Sequence, residues 1–215
     1  MRNTLIGLAA AAVLIGALFA LSRIFPGRLP PLVAGPTPQQ VETTAQIDRQ
    51  AASVTAGFIG SQDIGPWVLS CPQQAVDAPK DSLPGANAVK FARCRSQLLV
   101  HDRANIKDVV LGAVVRPIEN SDDIALILHI PPVSKPGIKV IVALAEKQII
   151  GLPVSACGKS QCIAMGVLRA SDFKQVLSRP RLAVVIPIQK TGQRMVIPMT
   201  TKGLRQSIDA IKRAG

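Results

Sequence analysis

The chain has no tyrosine, one tryptophan, Trp67, and only 3% aromatic residues among its 215. Its core must therefore be filled by Val, Ile, Leu and Ala, and a supply that rich in β-branched side chains favours strands. Histidine is nearly missing too, with His101 and His129 the two examples. His129 stands in "ALILHIPP" at strand spacing, which suits a half-buried side chain better than a base. His101 precedes Asp102, but adjacent strand residues point to opposite faces, and no nucleophile stands beside them to complete a dyad. No acid, base and nucleophile occur together at a recognisable spacing, so no catalytic residue is assigned. Acidic side chains number 13 against 25 Lys and Arg, a formal net charge of +12. The sequence lacks the aromatic or glycine-rich motifs of RNA-binding modules, so nucleic acid is not the partner of that charge.

What is present begins with "LIGLAAAAVLIGALFAL", an uncharged run from Leu5 to Leu21 preceded by Arg2. Such a run is a membrane or export signal. Cleavage after Ala20 or Ala17 would put Leu18 or Ile15 where a small residue is preferred, and the apolar character continues to Ile24 and Phe25. Residues 5–25 are therefore read as a transmembrane signal anchor behind a short cytoplasmic end, 1–4; the alternative is cleavage and a soluble periplasmic product. Residues 26–45 hold five of the seventeen prolines without apolar periodicity, which makes a stiff, extended spacer. The linker is placed at 26–62, with a weak helical signal around Ile47 to Val54, and the globular domain at 63–215.

From Trp67 onward, short apolar runs alternate with Pro, Gly, Asn and Asp: "WVLSC", "VKFARCRSQLLV", "VVLGAVVRPI", "IALILHI", "IKVIVALA", "QIIGLPV", "QCIAMGVL", "LAVVIPI" and "RMVIPM". Nine such runs predict an all-β fold, an antiparallel immunoglobulin-like β-sandwich with one or two short helices. Two hairpins are expected, one turning at Thr191-Gly192 and one joining Ile130 to Ile138 through "PPVSKPG". "RASDFKQVLSR" predicts a helix capped by Ser171, with Phe173, Val176 and Leu177 on one face. "KGLRQSIDAIKRAG" predicts a terminal helix with Leu204, Ile208 and Ile211 on one stripe and Arg205, Lys212 and Arg213 opposite.

Trp67 and Cys71 in "GPWVLSC", Cys94 in "FARCRSQLLV", then "PPVSKPGIKV", "CGKSQCIAMGVL" and "MVIPMTTKGLRQSIDAI" occur in an order that resembles the invasion-associated locus B family over about residues 63–215. The chain departs from the usual pattern at Gln161, where glycine commonly precedes the last cysteine, and at Leu204, where phenylalanine is usual. The resemblance implies an exported β-sandwich of the Gram-negative envelope, associated with host-cell interaction, and brings no catalytic residues or cofactor.

Four residues separate Cys157 from Cys162 and twenty-two separate Cys71 from Cys94. A zinc site needs four donors in total, and the gap between Cys71 and Cys94 and the positions of His101 and His129 match no recognisable ligand spacing; thioredoxin-like couples want two intervening residues, so neither a metal nor a redox site is assigned. An even cysteine count on an exported chain reads as a disulfide framework, and of the three possible pairings the placement favours Cys71–Cys94 and Cys157–Cys162. Stable disulfides require the periplasmic side, which puts the amino terminus in the cytoplasm. Trp67, close to Cys71, is expected to pack against the first bridge. Residues 67–215 carry 21 of the basic and 10 of the acidic side chains. Anionic lipid, lipopolysaccharide or acidic envelope proteins are the matching partners, with Arg205, Lys212 and Arg213 as the candidate surface and mere solubility as the competing use of the charge. The sequence thus predicts a non-enzymatic, membrane-tethered periplasmic binding or structural module; the alternative is a cell-wall hydrolase or transferase with an unrecognised active site. It does not set the oligomeric state.

Overall fold

The computed structural model describes residues 44–73, 91–102, 104–144 and 147–215. The expected anchor, 5–25, and the proline-rich part of the linker lie outside the described residues. Among those described, no helix is long and apolar enough to cross a membrane.

The elements in chain order are α1 (Thr44–Ala52), β1 (Gly60–Ile64), β2 (Trp67–Cys71), β3 (Arg95–His101), β4 (Val109–Pro117), β5 (Ile124–Ile130), β6 (Lys139–Leu144), β7 (Lys147–Cys157), β8 (Cys162–Leu168), α2 (Ala170–Leu177), β9 (Arg181–Pro187), β10 (Arg194–Thr200) and α3 (Leu204–Ala214). Each of the nine predicted apolar runs coincides in whole or in part with a strand. Their order in the sheet is β1-β2-β3-β4-β5-β8-β7-β6-β9-β10, and every pairing is antiparallel. The extra strand, β1, reads "GSQDI" and has one buried residue, Ile64, so it offers no apolar alternation to detect.

The two layers of the expected sandwich come from the curling of one continuous sheet. β7 makes the curl: Lys147–Pro153 pair with β6, then Val154–Cys157 pair with β8, with a register irregularity between Val154 and Ala156. A bulge of this kind bends a strand and increases its twist, which lets it serve both layers. Leu98 and Leu128 from one half and Val142, Val184 and Ile197 from the other consequently share a single core.

The hairpin expected between Ile130 and Ile138 is not formed. Both edges of β5 are occupied by β4 and β8, and β6 pairs with β7 and β9, so residues 131–138 cross between layers. Pro131, Pro132 and Pro136 withhold donors from any ladder there. The crossing is pinned instead by Gly137 N–H to Val154 O at 2.9 Å and Val154 N–H to Ile138 O at 2.7 Å. The hairpin at Thr191-Gly192 does form, with Gly192 at φ 68°.

Three helices stand among the described residues. In α1, Ile47 and Ala51 are buried, and the helix packs on α3 and β1. In α2, Phe173 and Val176 enter the core, but Ser171 lies inside the helix, exposed, and does not cap it. The Asp123 carboxylate does that work from the end of the β4–β5 connection, accepting the Ala170 N–H at 3.0 Å. In α3, Leu204, Ile208 and Ile211 are buried as the stripe requires. Ser207, on the same side, is wholly buried and bonds the Ser96 hydroxyl of β3 at 2.7 Å. The helix begins at Gly203, whose φ is 83° and where a Cβ would stand 2.6 Å from the carbonyl oxygen of Ile64. Only glycine fits that left-handed approach.

Candidate functional site

The cysteines form two bridges, Cys71–Cys94 and Cys157–Cys162, and no described cysteine is free. Cys71 ends β2 and Cys94 precedes β3, and both are buried. Trp67 alternates onto the same face of β2 as Leu69 and Cys71 and is itself wholly buried. This places the tryptophan in the core around the bridge rather than at a binding surface. Its indole N–H finds no acceptor among the described residues.

Cys157 and Cys162 face each other directly in the register of β7 and β8. Cys162 is buried and Cys157 is exposed. Their sulfurs lie 3.6 and 3.8 Å from the Ser134 carbonyl oxygen, packing the bridge against the crossing segment 131–138. A disulfide carries no S–H, so these are packing contacts and not hydrogen bonds. The hairpin tip is closed by Gly158 N–H to Gln161 O at 2.8 Å, and the Ser155 hydroxyl donates to Ile163 O at 3.1 Å. Gln161 also reaches across to β5, its Oε1 3.3 Å from His129 Nδ1. The departure from glycine at this position thus has a partner.

The histidines are otherwise apart from acid chemistry. His101 ends β3 with Nδ1 buried and without a partner among the described residues, while the Asp102 carboxylate accepts the Ala104 N–H at 2.9 Å. Among the described residues neither histidine has a carboxylate within ion-pair reach, and no three His, Cys, Asp or Glu side chains gather as a metal cluster.

Arg205, Lys212 and Arg213 are all exposed on α3. Helical spacing places Asp209 among them, four residues from Arg205 and from Arg213. Lys212 pairs with Asp122 at 3.1 Å, a surface contact with both partners well exposed. Such a pair contributes at most about 1 kcal/mol. Arg213 Nη2 donates to Ala51 O at 2.8 Å and so ties α3 to α1. Lys190 and Arg194 do not join this face. They stand at the β9–β10 turn, and six residues of strand put Arg194 ~20 Å from Thr200, near which α3 starts. The i, i+4 position of Asp209 was readable from the sequence; Asp122 and Ala51 are brought in only by the fold.

Beside the end of α3 lies a groove of ≈ 910 Å³, lined by the β4–β5 turn, Arg93 and the last helical turn. Glu119, Asp122, Arg93 and Lys212 all line it, so its wall is of mixed charge. Arg93 is partly used, its Nη2 donating to Phe58 O at 2.9 Å.

These features define a class: an antiparallel β domain with two disulfides, a terminal helix docked through a buried serine pair, and cations distributed over its surface. The chain belongs to the invasion associated locus B (IalB) protein family, whose description matches residues 67–212. It is similar in fold to the crystal structure of invasion associated protein B from Bartonella henselae, with 15% identity, a TM-score of 0.54, and coverage of 71% of this chain and 94% of that one. No curated protein matches the chain at the level of sequence.

Proposed function

We propose that this chain is a non-enzymatic binding or structural module of the bacterial envelope, tethered to the inner membrane by residues 5–25 with its β domain in the periplasm. The observation that carries this reading is the pair of disulfides, both joining residues that the fold brings together. Bonds of that kind persist in oxidising compartments and not in the cytosol. Membership in the family adds an association with invasion, which this reading extends to the present chain as a consequence of envelope contacts and not of catalysis.

The partners of the reading are anionic: phospholipid head groups, lipopolysaccharide phosphates or acidic envelope proteins, drawn by a net charge of +12. Arg205, Lys212 and Arg213 supply one such surface, weakened by Asp209 between them and by the engagement of Lys212 and Arg213. The detergent-solubilised full chain, immobilised and offered lipopolysaccharide, is expected to retain it at low salt and release it as salt rises. Retention that is indifferent to salt, or none at any salt, contradicts the anionic partner.

A further inference from the structure

The sheet has two ends, β1 and β10. Each presents a row of backbone N–H and C=O groups that no strand among the described residues pairs, and such a row is a template for another chain unless the edge is blunted. β10 is blunted. The bonds from Ile188 N–H to Gln193 O at 2.8 Å and from Thr201 N–H to Pro180 O at 3.1 Å put Met195, Ile197 and Met199 in the bonded pairs with β9, so Arg194, Val196, Pro198 and Thr200 turn their backbone groups to the edge. Pro198 has no donor to offer there, and Arg194 adds a charge.

β1 has no such device. It meets β2 through the two-residue turn Gly65-Pro66, which makes Ile64 and Trp67 a bonded pair, followed by Gln62 with Leu69 and Gly60 with Cys71. Ser61 and Asp63 therefore point both N–H and C=O to the open side, and both residues are exposed. Asp63 O accepts Gln62 Nε2 at 3.3 Å, and a carbonyl takes a second donor. No described cation pairs with the Asp63 carboxylate. From Gln50 to Cys71 the chain carries that one charge and no cation, so a contact made here does not set the cations of a +12 chain against one another.

The register makes this edge complementary to itself. When a second β1 is laid antiparallel with Gln62 opposite the partner's Gln62, Ser61 faces the partner's Asp63 and Asp63 the partner's Ser61, and each pair exchanges two backbone bonds. Ser61 and Asp63 share a face, so each hydroxyl also stands beside a carboxylate with no like charges opposed. Carried one residue past the strand, the same register brings Ile59, 56% exposed, opposite the partner's Gly65. The next allowed register would oppose Asp63 to the partner's Asp63, and it is disfavoured. We propose that β1 is a self-pairing edge, through which two copies of the chain join their sheets into one. This goes beyond the envelope-module reading and does not depend on it. Five residues a side make the contact weak and reversible.

The test uses the detergent-solubilised full chain, by sedimentation equilibrium and by cysteine cross-linking. The parent chain is expected to pass from monomer to dimer as concentration rises. Gln62→Cys should give a disulfide-linked dimer under mild oxidation, because residue 62 opposes itself, whereas Ser61→Cys and Asp63→Cys should cross-link only when the two variants are mixed. Ser61→Pro removes an edge donor without touching a β1–β2 bond and should abolish the dimer. Two substitutions that keep every backbone group shift the dimer in opposite directions: Ser61→Asp opposes two pairs of carboxylates and should raise Kd about tenfold, and Ser61→Lys should lower it by about as much. A chain that stays monomeric at every concentration overturns the proposal and leaves the edge to a foreign strand. A dimer that survives Ser61→Pro, or whose Kd moves the same way with Asp and Lys at position 61, places the contact elsewhere and also overturns it. None of these outcomes depends on residues 5–25 spanning a bilayer, so failure here leaves the tether standing.

Discussion

Replacing each disulfide by an alanine pair separates the two bridges by the size of the loop they close. Cys71 and Cys94 are 23 residues apart and Cys157 and Cys162 only 5. The chain-entropy estimate gives about 3.4 kcal/mol for the longer loop and ~2 kcal/mol for the shorter. Burial widens the gap, because Cys71 and Cys94 are both sealed in the core beside Trp67 and their removal also leaves a void, whereas Cys157 faces solvent. For a fold of this size each kcal/mol shifts Tm by about 2–4 °C. Cys71→Ala/Cys94→Ala is therefore expected to lower Tm by roughly 7–14 °C, and Cys157→Ala/Cys162→Ala by about 4–8 °C. Thermal unfolding of the detergent-solubilised full chain, followed by far-UV circular dichroism under non-reducing conditions, measures both. Graded reduction with thiol-trapping should open Cys157–Cys162 first, since attack at a disulfide requires access to a sulfur. A shorter-loop variant that loses as much stability as the longer-loop one, or simultaneous opening of both bridges in the native state, refutes this reasoning.

Other substitutions probe the docking of the helices. Gly203→Ala forces a Cβ to 2.6 Å from a backbone carbonyl at positive φ and is expected to cost more than about 2 kcal/mol in a urea titration. Ser207→Ala leaves the Ser96 hydroxyl buried and unpaired, a loss of about 1–3 kcal/mol, while the Ser96→Ala/Ser207→Ala double variant should recover part of it. Asp123→Ala removes the acceptor at the start of α2 and should lower stability by about 1 kcal/mol, whereas Ser171→Ala should change it by less than ~0.5 kcal/mol. Changing Arg205, Lys212 and Arg213 together to Gln should weaken salt-sensitive binding of lipopolysaccharide; it should also lower Tm by a few degrees, because Arg213 ties α3 to α1.

The sequence signal was strongest where apolar alternation was strong. Each β-branched run became a strand, and the stripe of Leu204, Ile208 and Ile211 became the buried face of α3. The failures share a cause: they depended on which distant element would arrive. Ser171 had the chemistry of a cap, but the helix starts one residue before it, and Asp123, 47 positions from Ala170, was delivered to the Ala170 N–H. "PPVSKPG" had the composition of a turn, yet β4 and β8 had taken the edges of β5 that a hairpin would have needed. β1 is polar because it is an edge strand, and "GSQDI" carries little of its own pattern. For the candidate surface, the cations of α3 were legible and their partners Asp122 and Ala51 were not.

In the reading proposed above, the disulfide-bonded β domain faces the periplasm from an uncleaved inner-membrane anchor. Protease added to intact spheroplasts, followed by carbonate extraction and sequencing of the membrane-bound remnant, tests it in one measurement. The expected result is that the β domain is degraded from outside while a carbonate-resistant fragment keeps Met1 or Arg2. A domain protected until the spheroplasts are lysed, or a mature amino terminus near Leu21 or Gly35 on protein released in soluble form, would contradict it.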